Sequence, residues 1–244
     1  RNWGRTWRGF RISPAQADSS GMTEAGRRRL GLCRAMIESV PEMKNGHQRH
    51  PADLTGLTEL ACRFGASNAK VISTREISIE ENLAKLCREP QCENYGLSAS
   101  CPPHVAGPSG FRKLLQNYEQ AVVFKIDVPS EILLSSDRRE EFRVLHEITA
   151  GIEHAAVQMG YDNSRAYAGG SCKRLFCQDH VYCRVTKQGG ECRNPHLARP
   201  SMSGFGINVS KLMGAAGWTM SRINRGIDQD KTSMSSVCGL VLIG

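Results

Sequence analysis

The sequence predicts an α/β fold, a single mixed sheet covered by helices, with two cysteine-rich loops set between its elements. Three observations carry that expectation. Short apolar runs of strand character alternate with segments of helical periodicity. Seven of the ten cysteines fall into two tight groups, each in a stretch rich in Gly, Pro, Asn and Ser. A chain of 244 residues can also bury a sizeable core without covalent staples.

The elements follow in chain order. Thr55 to Phe64 brings Leu57, Leu60 and Ala61 to helical spacing, and Ala69 to Ser73 (AKVIS) predicts a strand. A short acidic helix around Glu80 to Leu86 precedes the first cysteine group. Pro108 then opens a helix with Phe111, Leu114, Leu115 and Tyr118 on one face. Ala121 to Val128 (AVVFKIDV) is the clearest strand. Asp137 to Gln158 is a long helix whose stripe is Phe142, Leu145, Ile148, Ile152 and Ala155, with Gly160 as its stop. Arg165 to Ala168 predicts a strand leading straight into the second cysteine group. Asn208 caps a helix over Val209 to Ala216, and Val237 to Ile243 completes the sheet. Ends of neighbouring strands are expected to bring the two cysteine groups to the same side.

Charge divides the chain. Residues 1–50 hold ten Lys plus Arg against four Asp plus Glu, or +6 of the formal +8. They are read as a basic N-terminal extension, with a short helix over Glu24 to Glu38, and residues 51–244 as the α/β domain. That domain carries 22 basic and 20 acidic residues, close to neutral, so the high pI is no argument for a nucleic-acid partner. No apolar run reaches the length of a membrane span, and no secretory leader is visible. The expected setting is cytoplasmic and reducing.

In that setting clustered cysteines point to metal rather than disulfides. The first group, Cys87, Cys92 and Cys101, has the spacing C-x4-C-x8-C. The second, Cys172, Cys177, Cys183 and Cys192, has C-x4-C-x5-C-x8-C. Structural zinc sites favour short C-x2-C knuckles, which are absent here. Iron–sulfur clusters accept wider loops, and Cys101 is followed by Pro102, as in the Cys-Pro that ends bacterial ferredoxin motifs. The seven cysteines are therefore read as ligands of two [4Fe–4S] clusters, with zinc as the alternative. Four cysteines complete one cluster. The first group needs a further ligand: His104, a remote Cys62 or Cys238, or a small exogenous molecule.

The runs PQCENYGLSASCPPHVAGPSGFRKLL, GGSCKRLFC and CRNPHLARPSMSGFGINVSKL resemble the predicted metal-binding proteins of domain-of-unknown-function family 2284. The resemblance spans roughly residues 55 to 244. It implies cysteine-bound metal, iron–sulfur by preference, in anaerobic or facultative microbes, and it supplies no reaction. All seven grouped cysteines stand where that pattern places its own; Cys33, Cys62 and Cys238 lie outside it. The second group is more widely spaced here than the C-x2-C-type spacing of many relatives.

The remaining candidates have two readings each. Cys62 and Cys238 read as small hydrophobes in a core. His180 is an exposed loop histidine or a ligand. Arg199 and Ser201 donate to cluster sulfurs, or else Arg199 pairs with an acid and Ser201 starts a turn. Gly96 is expected in a conformation other residues resist, and Gly204 and Gly206 at close backbone approaches. Three functions follow: electron transfer to a redox partner protein, an enzyme using an open iron at the three-cysteine site, or a zinc-stabilised binding module. The first is preferred.

Overall fold

The computed structural model describes residues 54–219 and 233–244. The expected helix over Glu24 to Glu38, Cys33 and the whole basic extension lie outside the described residues. The helices are α1 (Leu54–Arg63), α2 (Glu81–Lys85), α3 (Gly107–Leu115), α4 (Ser130–Leu134), α5 (Arg138–Gln158), α6 (Cys172–Phe176), α7 (Arg184–Gln188) and α8 (Val209–Ala215). The strands are β1 (Asn68–Ser73), β2 (Gln120–Pro129), β3 (Arg165–Tyr167) and β4 (Met234–Ile243), in the spatial order β1-β2-β4-β3.

A sheet with helices was expected, but a mixed one was not found: every pairing is antiparallel. The reason is topological. The long crossover through α5 lays β3 in the same direction as β2, and β4 then slides between them, antiparallel to both. The result is a split β-α-β unit in which the two parallel strands never touch. The β2–β4 ladder is the longest, running from Gln120 opposite Ile243 to Pro129 opposite Met234.

Strand alternation sorts the side chains into two cores. Val122, Phe124, Ile126, Val237 and Val241 face α1 and α5, meeting Leu57, Leu145, Ile148 and Ile152. Ala121, Val123, Cys238, Leu240 and Leu242 face the opposite layer, where Phe111, Tyr167, Phe205, Leu212 and Met213 pack. Covered on both faces, β2 and β4 read as nearly continuous apolar runs, which is why both stand out in the sequence. Asn208 caps α8 through its side chain to the Lys211 amide at 3.0 Å, as its position predicts.

One assignment on α1 is corrected. Cys62 was expected in the core and is exposed. Helical positions advance by roughly 100°, so the stripe of Leu54, Leu57, Leu60 and Ala61 turns Cys62 to the other side. Cys238 is buried as expected, and its apolar surroundings push its thiol up to about 12.

The two cysteine loops are tied to each other and to β3. They follow β1 and β3, which run in opposite directions at opposite edges of the sheet, so the ends of neighbouring strands do not bring them together as expected. The first spans the stretch between α2 and α3. The second leaves β3 and returns before α8. At its return, Ala168 N–H donates to Pro200 O at 3.0 Å, Met202 N–H donates to Ala168 O at 2.9 Å, and Ser201 N–H donates to Ser100 O at 3.0 Å. Three backbone bonds thus tie the far end of the second loop to both β3 and the first loop. Below them Gly206, at φ +70°, passes so close to Glu80 that a Cβ would fall 2.4 Å from its carbonyl oxygen. Only glycine fits there.

Candidate metal centre

The structure gives each cysteine group its own cavity. Cys172, Cys177, Cys183 and Cys192 all line one of about 20 Å³, together with Phe176, Val185 and Ala198. Cys87, Cys92 and Cys101 all line another of about 120 Å³. Among the described residues, no three His, Cys, Asp or Glu side chains converge closely enough to hold a single metal ion. The thiols instead stand around the walls.

The four-cysteine cavity is surrounded by donors. Asn194 gives its backbone N–H to Cys192 Sγ at 3.4 Å and its Nδ2 to Cys177 Sγ at 3.2 Å. Ser100 Oγ donates to Cys172 Sγ at 3.1 Å. Burial raises the Cys183 thiol, but the amides of Ala99, Thr186 and Val185 and the Thr186 hydroxyl outweigh it and hold the thiol below its ordinary value. Cys183 is the N-cap of α7, where unpaired amides point toward it. The other three thiols are pushed up by burial first, Cys172 to about 12. Repulsion from Cys177 and Cys183 adds to the rise at Cys192. A cation among these sulfurs would remove both penalties.

The loop that carries them is braced from inside. Lys173 is buried, and its ammonium donates to the carbonyls of Cys177 (2.6 Å) and His180 (2.5 Å), fixing the turn between two thiols. His146, fully buried on α5, spans the loop's two ends. Arg199 N–H donates to its Nδ1 at 3.1 Å, and Nε2 lies 3.0 Å from Gly169 O, so Nε2 carries the proton. Burial pulls its pKa down to about 4. Arg199 pairs with Glu153 at 2.7 Å and caps Pro195 and Ala198 carbonyls. Pairing with an acid is thus its observed role. His180 is exposed, as an ordinary loop histidine would be.

The three-cysteine cavity is built differently. Cys92 N–H donates to Cys87 O at 3.0 Å, bringing those two thiols to one turn. Burial raises the Cys87 thiol, and the charges of Cys92 and Cys101 raise it further. Gly96 has φ +75°, as expected, and its N–H closes the loop on Pro102 O at 2.8 Å. Two side chains of this loop reach its sulfurs at long range, Asn94 Nδ2 at 4.0 Å from Cys92 Sγ and Ser100 Oγ at 3.8 Å from Cys101 Sγ. His104 lies with Nε2 3.3 Å from Gly96 O and is not part of the cavity wall. Neither Cys62 nor Cys238 lines it.

The two cavities meet at a pair of Ser-Cys dipeptides. Cys101 lines the first cavity, while its neighbour Ser100 serves Cys172 of the second. Cys172 lines the second cavity, while its neighbour Ser171 lines the first. Ser98 and Ser100, 3.0 Å apart, fill the space between. Ser98, Ser100, Ser171, Asn94 and Asn194 were not singled out from the sequence. A signal was available, because Cys92-Glu93-Asn94 and Cys192-Arg193-Asn194 repeat one C-x-N pattern, and Ser-Cys occurs once in each loop.

No curated protein and no solved structure gives a significant match to this chain. The family model described as a predicted metal-binding protein (DUF2284) matches residues 70–243, which include both cysteine loops, and the chain belongs to that family.

Proposed function

We propose that this chain is an iron–sulfur protein holding two [4Fe–4S] clusters, one in each cavity, and passing electrons to a partner protein. The observation that carries the reading is that each cysteine group lines a separate cavity and the two cavities adjoin at Ser100 and Cys172. Cys172, Cys177, Cys183 and Cys192 would hold one cluster, and Cys87, Cys92 and Cys101 the other. Ligands of a cube stand farther apart than ligands of one ion. Thiols spread around a cavity therefore suit a cluster better than zinc.

The surroundings fit as well. Bound clusters supply one-electron chemistry at low potential. The chain's own residues do the tuning. Asn194, Ser100 and the amides at the start of α7 place donors on thiolate sulfur, which favours the more negative, reduced form. Lys173 and His146 hold the loop rigid so that little rearranges when charge changes. A low-potential relay of this kind suits anaerobic metabolism and a cytoplasmic setting, where thiols stay reduced.

The test is iron, zinc and acid-labile sulfide per chain, on protein purified without oxygen. The expected result is about eight irons and eight sulfides, with a broad absorption near about 400 nm. Zinc without sulfide overturns the proposal and leaves a metal-stabilised binding module.

A further inference from the structure

The cavity with fewer thiols is the larger, about 120 Å³ against about 20 Å³. Its remaining polar wall is made of Asn94, Tyr95, Ser171, Ser201 and Ser203. Among the described residues no fourth cysteine lines it, and no histidine, carboxylate, lysine or arginine does. One polar group there is conspicuously unused. Ser171 is 4% exposed, and its Oγ is buried with no hydrogen-bond partner. An orphaned buried hydroxyl costs roughly 1–3 kcal/mol unless something answers it. In the neighbouring cavity the equivalent hydroxyl, Ser100, has found a thiol.

We infer that the three-cysteine cavity is a binding site for a small exogenous thiol or hydrosulfide, which takes the ligand position that no described side chain fills and accepts a hydrogen bond from Ser171. The inference rests on the iron–sulfur reading above. The ligand class follows from the walls. A site already built from thiolates selects a soft donor. Hydroxyls and an amide, without a charged side chain, suit a small group whose charge is neutralised at the metal. The ligand binds as its thiolate, and its proton passes to solvent.

The probe is 2-mercaptoethanol, added to full-length protein purified without thiols or oxygen and then reduced. The readout is the electron paramagnetic resonance spectrum. The expected result is a saturable change confined to one of two centres, the one lost in Cys101→Ser. Ser171→Ala weakens the apparent affinity by about ten-fold, the value of a hydrogen bond to a charged acceptor. Ser171→Cys places a protein thiol on the same wall and abolishes the response while retaining iron. Eight irons with neither centre responding to the thiol overturns the inference and leaves the cluster reading intact. Loss of the response in Cys33→Ser, or in a His47→Ala/His50→Ala variant, with Ser171→Ala unchanged, assigns the fourth position to the protein and also overturns it. Absence of iron and sulfide removes both readings together.

Discussion

The two cysteine cavities of this molecule differ more than their sequences suggest. The four-cysteine cavity is the smaller, has Asn194 and Ser100 directed at its sulfurs, and lies in a loop braced by Lys173 and His146. The three-cysteine cavity is larger, has only the distant Asn94 amide and Ser100 hydroxyl near its sulfurs among the described residues, and keeps the buried Ser171 hydroxyl without a partner. Among the described residues, four cysteines line the one and three the other. A centre meant only to carry an electron benefits from complete ligation and fixed dipoles, whereas a centre that meets another molecule needs a gap. The contacts of Ser100 with Cys172 and with the Ser201 amide join the two loops at the Ser-Cys crossover.

The largest expected effect tests whether the cavities are separate. Cys177→Ser should lower bound iron to about half, and Cys101→Ser should remove the other half, each leaving a different spectrum. Cys238→Ser, in the core of β4, should leave iron unchanged. Equal losses in Cys177→Ser and Cys238→Ser would dissolve the comparison.

Next in size is the clamp that distinguishes the four-cysteine loop. His146 has a folded pKa of about 4, below its ordinary 6.5, so the unfolded chain binds its proton more readily. Its contribution is therefore complete above pH 6.5 and is lost as pH falls toward 4, by about 3 kcal/mol at most. Glu147, raised to about 7 by burial, works in the opposite direction over nearly the same range. Denaturant unfolding at pH 7 and pH 4.5 should show His146→Gln losing more stability at pH 7 than at pH 4.5. A uniform loss at both would deny the neutral-histidine clamp.

Smaller again is the donor asymmetry. Removing the Ser100 hydroxyl should lower the potential of the four-cysteine centre by roughly 20–60 mV, since one donor to a charged sulfur is lost. A redox titration in which the three-cysteine centre shifts instead would reverse the assignment of the crossover. The smallest effect is expected at Cys62. It is exposed on α1, so Cys62→Ser should leave both iron content and thermal midpoint within error, as measured by iron assay and calorimetry.

Much of this was legible beforehand. The strands β2 and β4, the stripe of α5, the Asn208 cap and the grouping of seven cysteines are all written in local pattern, because periodicity and turn chemistry act over a few residues. Short α6 and α7 were missed: five residues inside a cysteine loop carry no usable period. Cys62 was misplaced because its neighbours are apolar while its angle is not. The serines at the crossover were invisible for another reason. Ser100 and Cys172 are 72 positions apart, and nothing local to either announces the other.

The sequence by itself determined what can be bound and roughly where along the chain, since thiols in flexible loops repel one another until a cation joins them. It also determined that a sheet and helices would form. Only the tertiary structure decided that the sheet is antiparallel, through the insertion of β4 between β2 and β3, and that the cysteine groups occupy adjoining cavities of unequal size. Those outcomes depend on which distant segments share a ladder or a loop end. The β2–β4 and β3–β4 ladders set the first, the three backbone bonds at Ala168, Ser201 and Met202 tie the loops, and such long-range pairing leaves no mark on any short stretch of sequence.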